Sequence, residues 1–396
     1  MNLGFSKEPL ELFKDGKKIT IKGNKRTKKE YILAVLKKCS SEPSEKSTKY
    51  FEQCLINTRL FSKVKISTKG ENTYVEVTDR WTLIPIPYVK SQGDAKAFGF
   101  FLLDTNLFGY GKMITLGGTF GSGSQSYFVM YRDPSLLFSN WSGGVIIRNM
   151  KREAYNYKED KQIEGFQERA ISLGGYLGYN IYSKTNLSFS FAQNKKEFSQ
   201  LESYLVPENN QFFLLGIRLS YKGSQFKFYF KEGLDGSLLF TVPVAQETQN
   251  AEASQLRLNL SYQKNNYSDH VIQLGLQHVQ AFNPQFGNEL KVGGSKGLRG
   301  LPLKGVWAER TSSLSVDYQV PFYYSKYGTW TFSTFADLGN AQTKQNQVSV
   351  SESFYSYGLG STFFLKKVNF PGLGIFYGNN PKYLGNFFSF TLGRGL

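Results

Sequence analysis

The chain has 396 residues, among them 34 Phe, 25 Tyr and 39 Gly but only 12 Pro and 4 Met. That mix suits strands and tight turns more than helices, and no apolar run reaches the length of a membrane-crossing helix. The formal net charge of +17 comes from cations spread along the chain, which argues against nucleic acid and for a basic lumen or a surface facing acidic lipid.

Residues 1–16 read as an N-terminal extension; MNLGFSKEPLELFKDG has neither the basic start nor the apolar stretch of a signal peptide, so a targeting segment for an exported protein would lie outside this sequence. Residues 17–80 read as a small α+β unit. KKITIKG (17–23) is a strand stopped by Gly23 and Asn24. Thr27 is placed as the cap of a helix with Glu30 in the reciprocal position, and Ile32, Leu33, Val35 and Leu36 fall along one side. A second short helix, TKYFEQCLIN, follows a Ser/Glu/Pro break. FSKVKIST and TYVEVTD are alternating strands joined by KGEN. Cys39 and Cys54 fit no metal spacing; they are either a bridge formed in an oxidising compartment or two small buried residues.

Residues 81–94 read as a linker, and from 95 to 396 the pattern is period two with no helix. FFLLGIRLSYK sends Phe213, Leu215, Ile217, Leu219 and Tyr221 one way and Gly216, Arg218, Ser220 and Lys222 the other. QLRLNLSYQ and SLSVDYQV behave alike. A soluble sandwich buries such an apolar face inside. Charged residues recurring on the polar face through three hundred residues favour instead a closed barrel in lipid with a wet lumen. Fifteen clear candidates run from 95–107 to 386–395. An even count is the rule, and QFKFYFK (225–231), with Phe226, Phe228 and Phe230 alternating, supplies the sixteenth. The fold expected is a sixteen-stranded transmembrane antiparallel β-barrel after one small α+β domain, with its seam between 95–107 and 386–395. Phe98, Phe100, Phe388 and Phe390 are then seam residues, with Gly393 and Gly395 weakening the end.

Between the eleventh and twelfth candidates lies VGGSKGLRGLP, inside a loop at 283–307 expected to fold inward. Its G-x-S-x-G spacing also fits a nucleophile elbow, but that needs a following helix and downstream partners. Here a strand follows, and both histidines, His270 and His278, lie upstream. An enzyme is therefore not expected, nor any cofactor or metal. Asp317 and Asp337 fall on the inward side of adjacent strands, where the loop can bring Arg299 to them; a guanidinium fork suits paired carboxylates. Gly293, Gly294, Gly297 and Gly300 permit the sharp turns and close wall contact this requires.

Several of these stretches resemble a known family. The strand–helix–helix–strand–strand unit with LFSKVKI resembles a POTRA domain. GGSKGLRGLP is similar to the conserved loop of BamA-type proteins, FADLG to their F-x-D-x-G stretch, SVDYQVPF to their twelfth strand, and DTNLFGYG, with Asp104, Asn106, Gly109 and Gly111, to their turn after strand one. The resemblance to the BamA/TamA superfamily implies a bacterial outer-membrane (or organelle outer-membrane) barrel with its POTRA domain in the periplasm. It implies insertion of unfolded outer-membrane proteins at the seam, with the bilayer and periplasmic chaperones or accessory subunits as partners. The alternatives are a transporter secreting one dedicated partner protein, or a passive pore. The chain departs from the family pattern in having room for one POTRA-like unit and in ending on Leu396 rather than an aromatic residue.

Overall fold

The computed structural model describes the chain from Lys18 to Leu392 apart from 41–46, 93–94, 122, 159–160, 183, 203, 228, 247–251, 267–268, 295, 303, 346–347, 369–371 and 384. The N-terminal unit is a three-stranded sheet backed by two helices. Lys18–Lys22 pairs parallel with Asn72–Asp79, which pairs antiparallel with Phe61–Lys69. The helices are Lys29–Ser40 and Thr48–Asn57. Ile32 with Leu36, and Phe51 with Leu55, repeat at four-residue spacing and so share a face; all four are buried with Leu60, Phe61 and Val75. Ser47 caps the second helix by accepting from the Tyr50 N–H at 3.2 Å.

Cys39 and Cys54 are disulfide-bonded and tie the two helices together. The bridge closes a span of 15 residues, a loop length for which cross-linking contributes about 3 kcal/mol. A Cys39→Ser/Cys54→Ser chain is expected to show faster amide exchange across residues 48–57 with the barrel unaffected. Equal exchange in both chains would mean that the apolar core alone holds the helices.

Among the described residues, sixteen antiparallel strands, with a two-residue bridge at Gln225–Phe226, close into a barrel. The first is Leu83–Gln92, the second Ala95–Leu107, the fifth Trp141–Lys158, the sixth Lys161–Tyr182, the eighth Asn210–Lys222, the ninth Lys231–Val244 and the tenth Ser254–Asn265. The eleventh is Val271–Phe282, the twelfth Arg310–Tyr324, the thirteenth Gly328–Gln345, the fourteenth Val348–Leu365 and the sixteenth Gly385–Leu392. Ile147, Leu173, Phe191, Leu215 and Leu359 stand exposed on the outer wall. An apolar band of that extent around a closed sheet belongs in lipid, where only closure lets the backbone groups of a sheet pair with one another. No described helix is long and apolar enough to cross a membrane.

Three expectations are corrected. The segment 81–94 is no linker: Leu83–Gln92 is the first barrel strand, paired with Ala95–Leu107. QFKFYFK is no wall strand: only Gln225–Phe226 pairs, with Glu232 and Lys231; Phe226 turns to the N-terminal unit, Tyr229 and Phe230 pack on Val271 and Phe364 of the barrel, and Lys231 already belongs to the ninth strand. The seam accordingly lies between Leu83–Gln92 and Gly385–Leu392, so Phe98 and Phe100 are outward residues of strand two. Phe388 remains on the closing strand and is exposed. Phe390 pairs through its backbone with Ile375, while Gly393, Gly395 and the extension 1–16 lie outside the described residues.

The N-terminal unit docks on the barrel at two turns. At the first, Lys28 N donates to Gly109 O at 3.0 Å, Asn106 Nδ2 to Thr27 Oγ1 at 2.9 Å and Arg26 to Asp104 at 2.6 Å. Thr27 therefore does not cap its helix; its hydroxyl donates to Asp79 instead. Gly111, at φ +66°, has room for no Cβ, which would lie 2.4 Å from the Tyr31 ring. Burial there, and then the charge of Asp133, push the Tyr31 hydroxyl up to about 12. A Gly111→Val chain is expected to undock at this turn, because both the left-handed backbone and the ring reject a branched side chain. Retained exchange protection at the Lys28 amide would show the contact is dispensable. At the second turn Phe226 lies 4.7 Å from Arg59 and 5.2 Å from Arg80, while Gln53 and Asn57 bond its backbone. Burial and the neighbouring Arg59 pull Arg80 down to about 10.

Candidate functional site: an inward loop and a proline-edged seam

The connection from strand eleven to strand twelve folds into the lumen. Leu290–Val292 and Val306–Ala308 form a short ribbon. Its tip carries Leu298 and Leu301, buried with Phe354, Ala341 and Tyr383 of the wall side. Gly293 takes φ +125° and passes so close to Pro302 that a Cβ would sit 2.0 Å from its carbonyl oxygen. Gly300 presses on the wall, where a Cβ would lie 2.6 Å from the side chains of Asn380 and Ser356. These contacts are the physical demand for glycine in this motif. Gly294 and Gly297 are also left-handed, at φ +71° and +83°. Ser295 lies outside the described residues.

Arg299 meets both aspartates. Its Nε and Nη2 donate to Asp337 at 2.8 and 2.6 Å, its backbone N donates to Asp337 at 3.1 Å, and Nη1 donates to Asp317 at 2.7 Å. The guanidinium also lies 3.8 Å from the centre of the Phe335 ring. Lys296 Nζ reaches Asp317 at 2.8 Å. Asp337 is 1% exposed and Asp317 8%, so these cations supply the counter-charge that a buried carboxylate needs. A second anchor was not legible in the sequence. Lys291 pairs with Glu168 at 3.3 Å, Glu168 with Arg152 at 2.7 Å, and the lysine lies over the Phe166 and Trp307 rings. These residues are scattered over the fifth and sixth strands and the loop, with no local spacing to mark them.

The histidines do not join this cluster. His270 and His278 are half-buried, beside the Tyr318 and Ser312 hydroxyls at 2.6 and 2.8 Å. Among the described residues no group of His, Cys, Asp and Glu could hold a metal ion. Asp104, Asn106, Gly109 and Gly111 are gathered at the docking turn, not at the loop.

The seam has its own chemistry. Thr105 N donates to Thr82 O at 3.1 Å. With the register Ile84↔Leu103, Ile86↔Phe101 and Tyr88↔Gly99, this makes Thr82, Ile84, Ile86 and Tyr88 the residues that exchange bonds with strand two. Alternation then turns the main-chain groups of Pro85 and Pro87 toward the last strand. Neither has an N–H, so that edge lacks two donors. Among the described residues the first and last strands have 10 and 8 residues against 18 and 22 in the fifth and sixth.

No protein-family model and no curated protein sequence matches the chain. Solved structures do. CdiB from Escherichia coli matches with a TM-score of 0.64 and 10% identity, covering 95% of this chain and 76% of that one. CdiB from Acinetobacter baumannii gives 0.61 and 14%, covering 95% and 73%. BamA from Haemophilus ducreyi lacking POTRA domains 1–3 gives 0.58 and 14%, covering 96% and 84%. At such identities the likeness is one of fold. The chain has the architecture these structures share, a small α+β POTRA-like unit followed by a large β-barrel.

Proposed function

We propose that this chain is a non-enzymatic transporter of unfolded polypeptide in an outer membrane, with its N-terminal unit on the periplasmic side. Within that class the reading favoured is export of a partner chain through the lumen. The observation that carries it is how the lumen is closed: a loop held largely by ion pairs with the wall, Arg299 on Asp317 and Asp337 and Lys291 on Glu168. Ion pairs that water can take over on release suit a removable plug better than a permanent core. The motif resemblance to the BamA/TamA superfamily and the likeness in fold to CdiB support the same class.

A second reading, insertion of barrel proteins at the seam, is favoured by Pro85 and Pro87 on the closing edge. One preparation tests both. The protein is reconstituted in liposomes with its N-terminal unit outside, and either an unfolded secretory β-rich chain or an unfolded outer-membrane barrel is added. Protection of the first substrate inside the vesicles supports export. Faster folding of the second into the bilayer, with no protection of the first, moves the function to insertion. Neither result, in vesicles where a working CdiB or BamA succeeds, rejects polypeptide transport.

A further inference from the structure

The lumen is electrically lopsided. On the side of strands twelve and thirteen the loop cations are matched by Asp317 and Asp337. On the side of the fifth to tenth strands Glu168 matches Lys291 and Arg152, but several wall cations have no acid of their own among the described residues. Arg148, Arg218, Lys222 and Arg257 have inward parity, since each stands one residue from outward-facing apolar neighbours such as Ile147, Ile217, Tyr221 and Leu256. The register places Arg218 opposite Leu239 and Leu239 opposite Arg257, so two guanidiniums share one row of the inner wall. Arg218, Lys222 and Arg257 are exposed to the lumen, and with Lys304 of the loop they form no ion pair or side-chain hydrogen bond among the described residues.

These cations act on one another. Lys222 has Arg132, Lys231 and Arg218 around it against the one acid Asp235; Arg257 has Arg218; and Lys304 has Arg148, Arg152 and Lys291 against the one acid Glu168. The nearby acids are already engaged. Asp235, which faces Lys222 across the ladder, is held by Lys231 at 3.0 Å and by Ser224 at 2.7 Å. Asp133 is within 3.3 Å of Lys112, and Glu168 is shared by Arg152 and Lys291. The row runs along the lumen: Arg132 and Lys222 lie near the turns at the docked end, Arg148, Arg218 and Arg257 within the wall, and Lys304 in the loop at the other end.

We infer that this face is a cationic track that binds an extended acidic segment of the transported polypeptide. The assignment rests on the polypeptide-transport reading, which supplies the polymer; the charge pattern supplies its sign. Unpaired like charges along a low-dielectric wall focus their field on the enclosed water and attract a chain of opposite sign. Exposed guanidinium and ammonium donors match carboxylates spaced along an extended backbone. The contacts are wet and screened, so they hold a chain weakly at many points, which is compatible with its moving on.

The test uses the purified full chain in detergent and fluorescent poly-L-glutamate, read by anisotropy. Poly-L-lysine and inorganic polyphosphate serve as comparison polymers. The Arg299→Ala background is run beside the parent so that a closed lumen is not mistaken for a missing site. Poly-L-glutamate is expected to bind, more weakly as salt rises, and to lose roughly tenfold in affinity in an Arg218→Gln/Lys222→Gln/Arg257→Gln chain. An Arg218→Lys/Arg257→Lys chain, which keeps the charges, is expected to retain binding and serves as the check that the wall still folds. Lys63→Gln/Lys65→Gln, on the exposed N-terminal sheet edge, is expected to change nothing. Equal affinity in the parent and the three-glutamine chain, or poly-L-lysine binding as tightly, overturns the track. Polyphosphate binding as tightly as poly-L-glutamate overturns the assignment to polypeptide. Should vesicle export fail while poly-L-glutamate binds, the transport reading falls and takes the polypeptide assignment with it, leaving only an anion site. Should export proceed without poly-L-glutamate binding, this inference falls alone.

Discussion

An Arg299→Ala chain is expected to keep the sixteen-stranded wall but release the loop from it. The substitution removes three side-chain hydrogen bonds in one step, keeps the backbone N–H on Asp337, and leaves two carboxylates behind. Asp317 keeps Lys296 at 2.8 Å, so it is only partly abandoned. Asp337, 1% exposed, receives its two side-chain ion-pair bonds, among the described residues, from Arg299 alone. Stranding one partner of a buried pair costs roughly 3–5 kcal/mol, more than a loop tip anchored by Leu298 and Leu301 is expected to absorb. The loop should therefore open trypsin sites at Lys296 and Lys304 and raise the conductance of the barrel in planar bilayers. Adding Asp337→Asn should recover part of the loss, because the stranded charge is then gone. Arg299→Lys should recover less than its charge suggests, since an ammonium cannot span both carboxylates as the guanidinium fork does. Parent-like protease resistance and conductance in Arg299→Ala would mean that the glycine and leucine contacts hold the loop without the ion pairs.

Replacing the seam prolines has the opposite sign. A Pro85→Val/Pro87→Val chain regains two N–H donors on the edge facing the last strand. Each new backbone bond contributes about 1 kcal/mol, and valine suits a strand as proline does not. The barrel is expected to resist denaturant better, with slower opening of the Gly385–Leu392 strand in hydrogen exchange. The functional consequence separates the two proposed readings. Seam insertion should slow as the edge zips shut, whereas lumen export should be indifferent to it. Unchanged exchange at the last strand would remove the prolines as the cause of a weak seam.

The alternating strands were legible because their signal is local. In QLRLNLSYQ every second residue is apolar, and Ser254–Asn265 is a strand whose leucines face out. The inward parity of Asp317 and Asp337 was legible for the same reason, and so was the fit of a guanidinium to them. LIPIPYVKSQ was missed because its prolines read as a break in a ladder. On an edge strand they interrupt only the side that faces the seam. QFKFYFK erred the other way: Phe226 is set beside Arg59 and Arg80 of the N-terminal unit and Phe230 is buried against Val271 and Phe364, so neither faces lipid. The two errors cancelled in the strand count but moved the seam by one strand.

The sequence by itself determined the class of wall, the domain order, the apolar faces of the N-terminal helices and the residue types at the loop tip. Each of these follows from short-range periodicity or from a backbone conformation that only certain residues tolerate. The tertiary structure decided which strands meet at closure, that Lys296 and Lys291 share the work of anchoring the loop, where the N-terminal unit docks, and which lumen cations are left without acids. Those are questions of which distant groups come within a few ångströms of each other, and Coulomb attraction and strand pairing depend on that distance in space, which no local pattern of residues records.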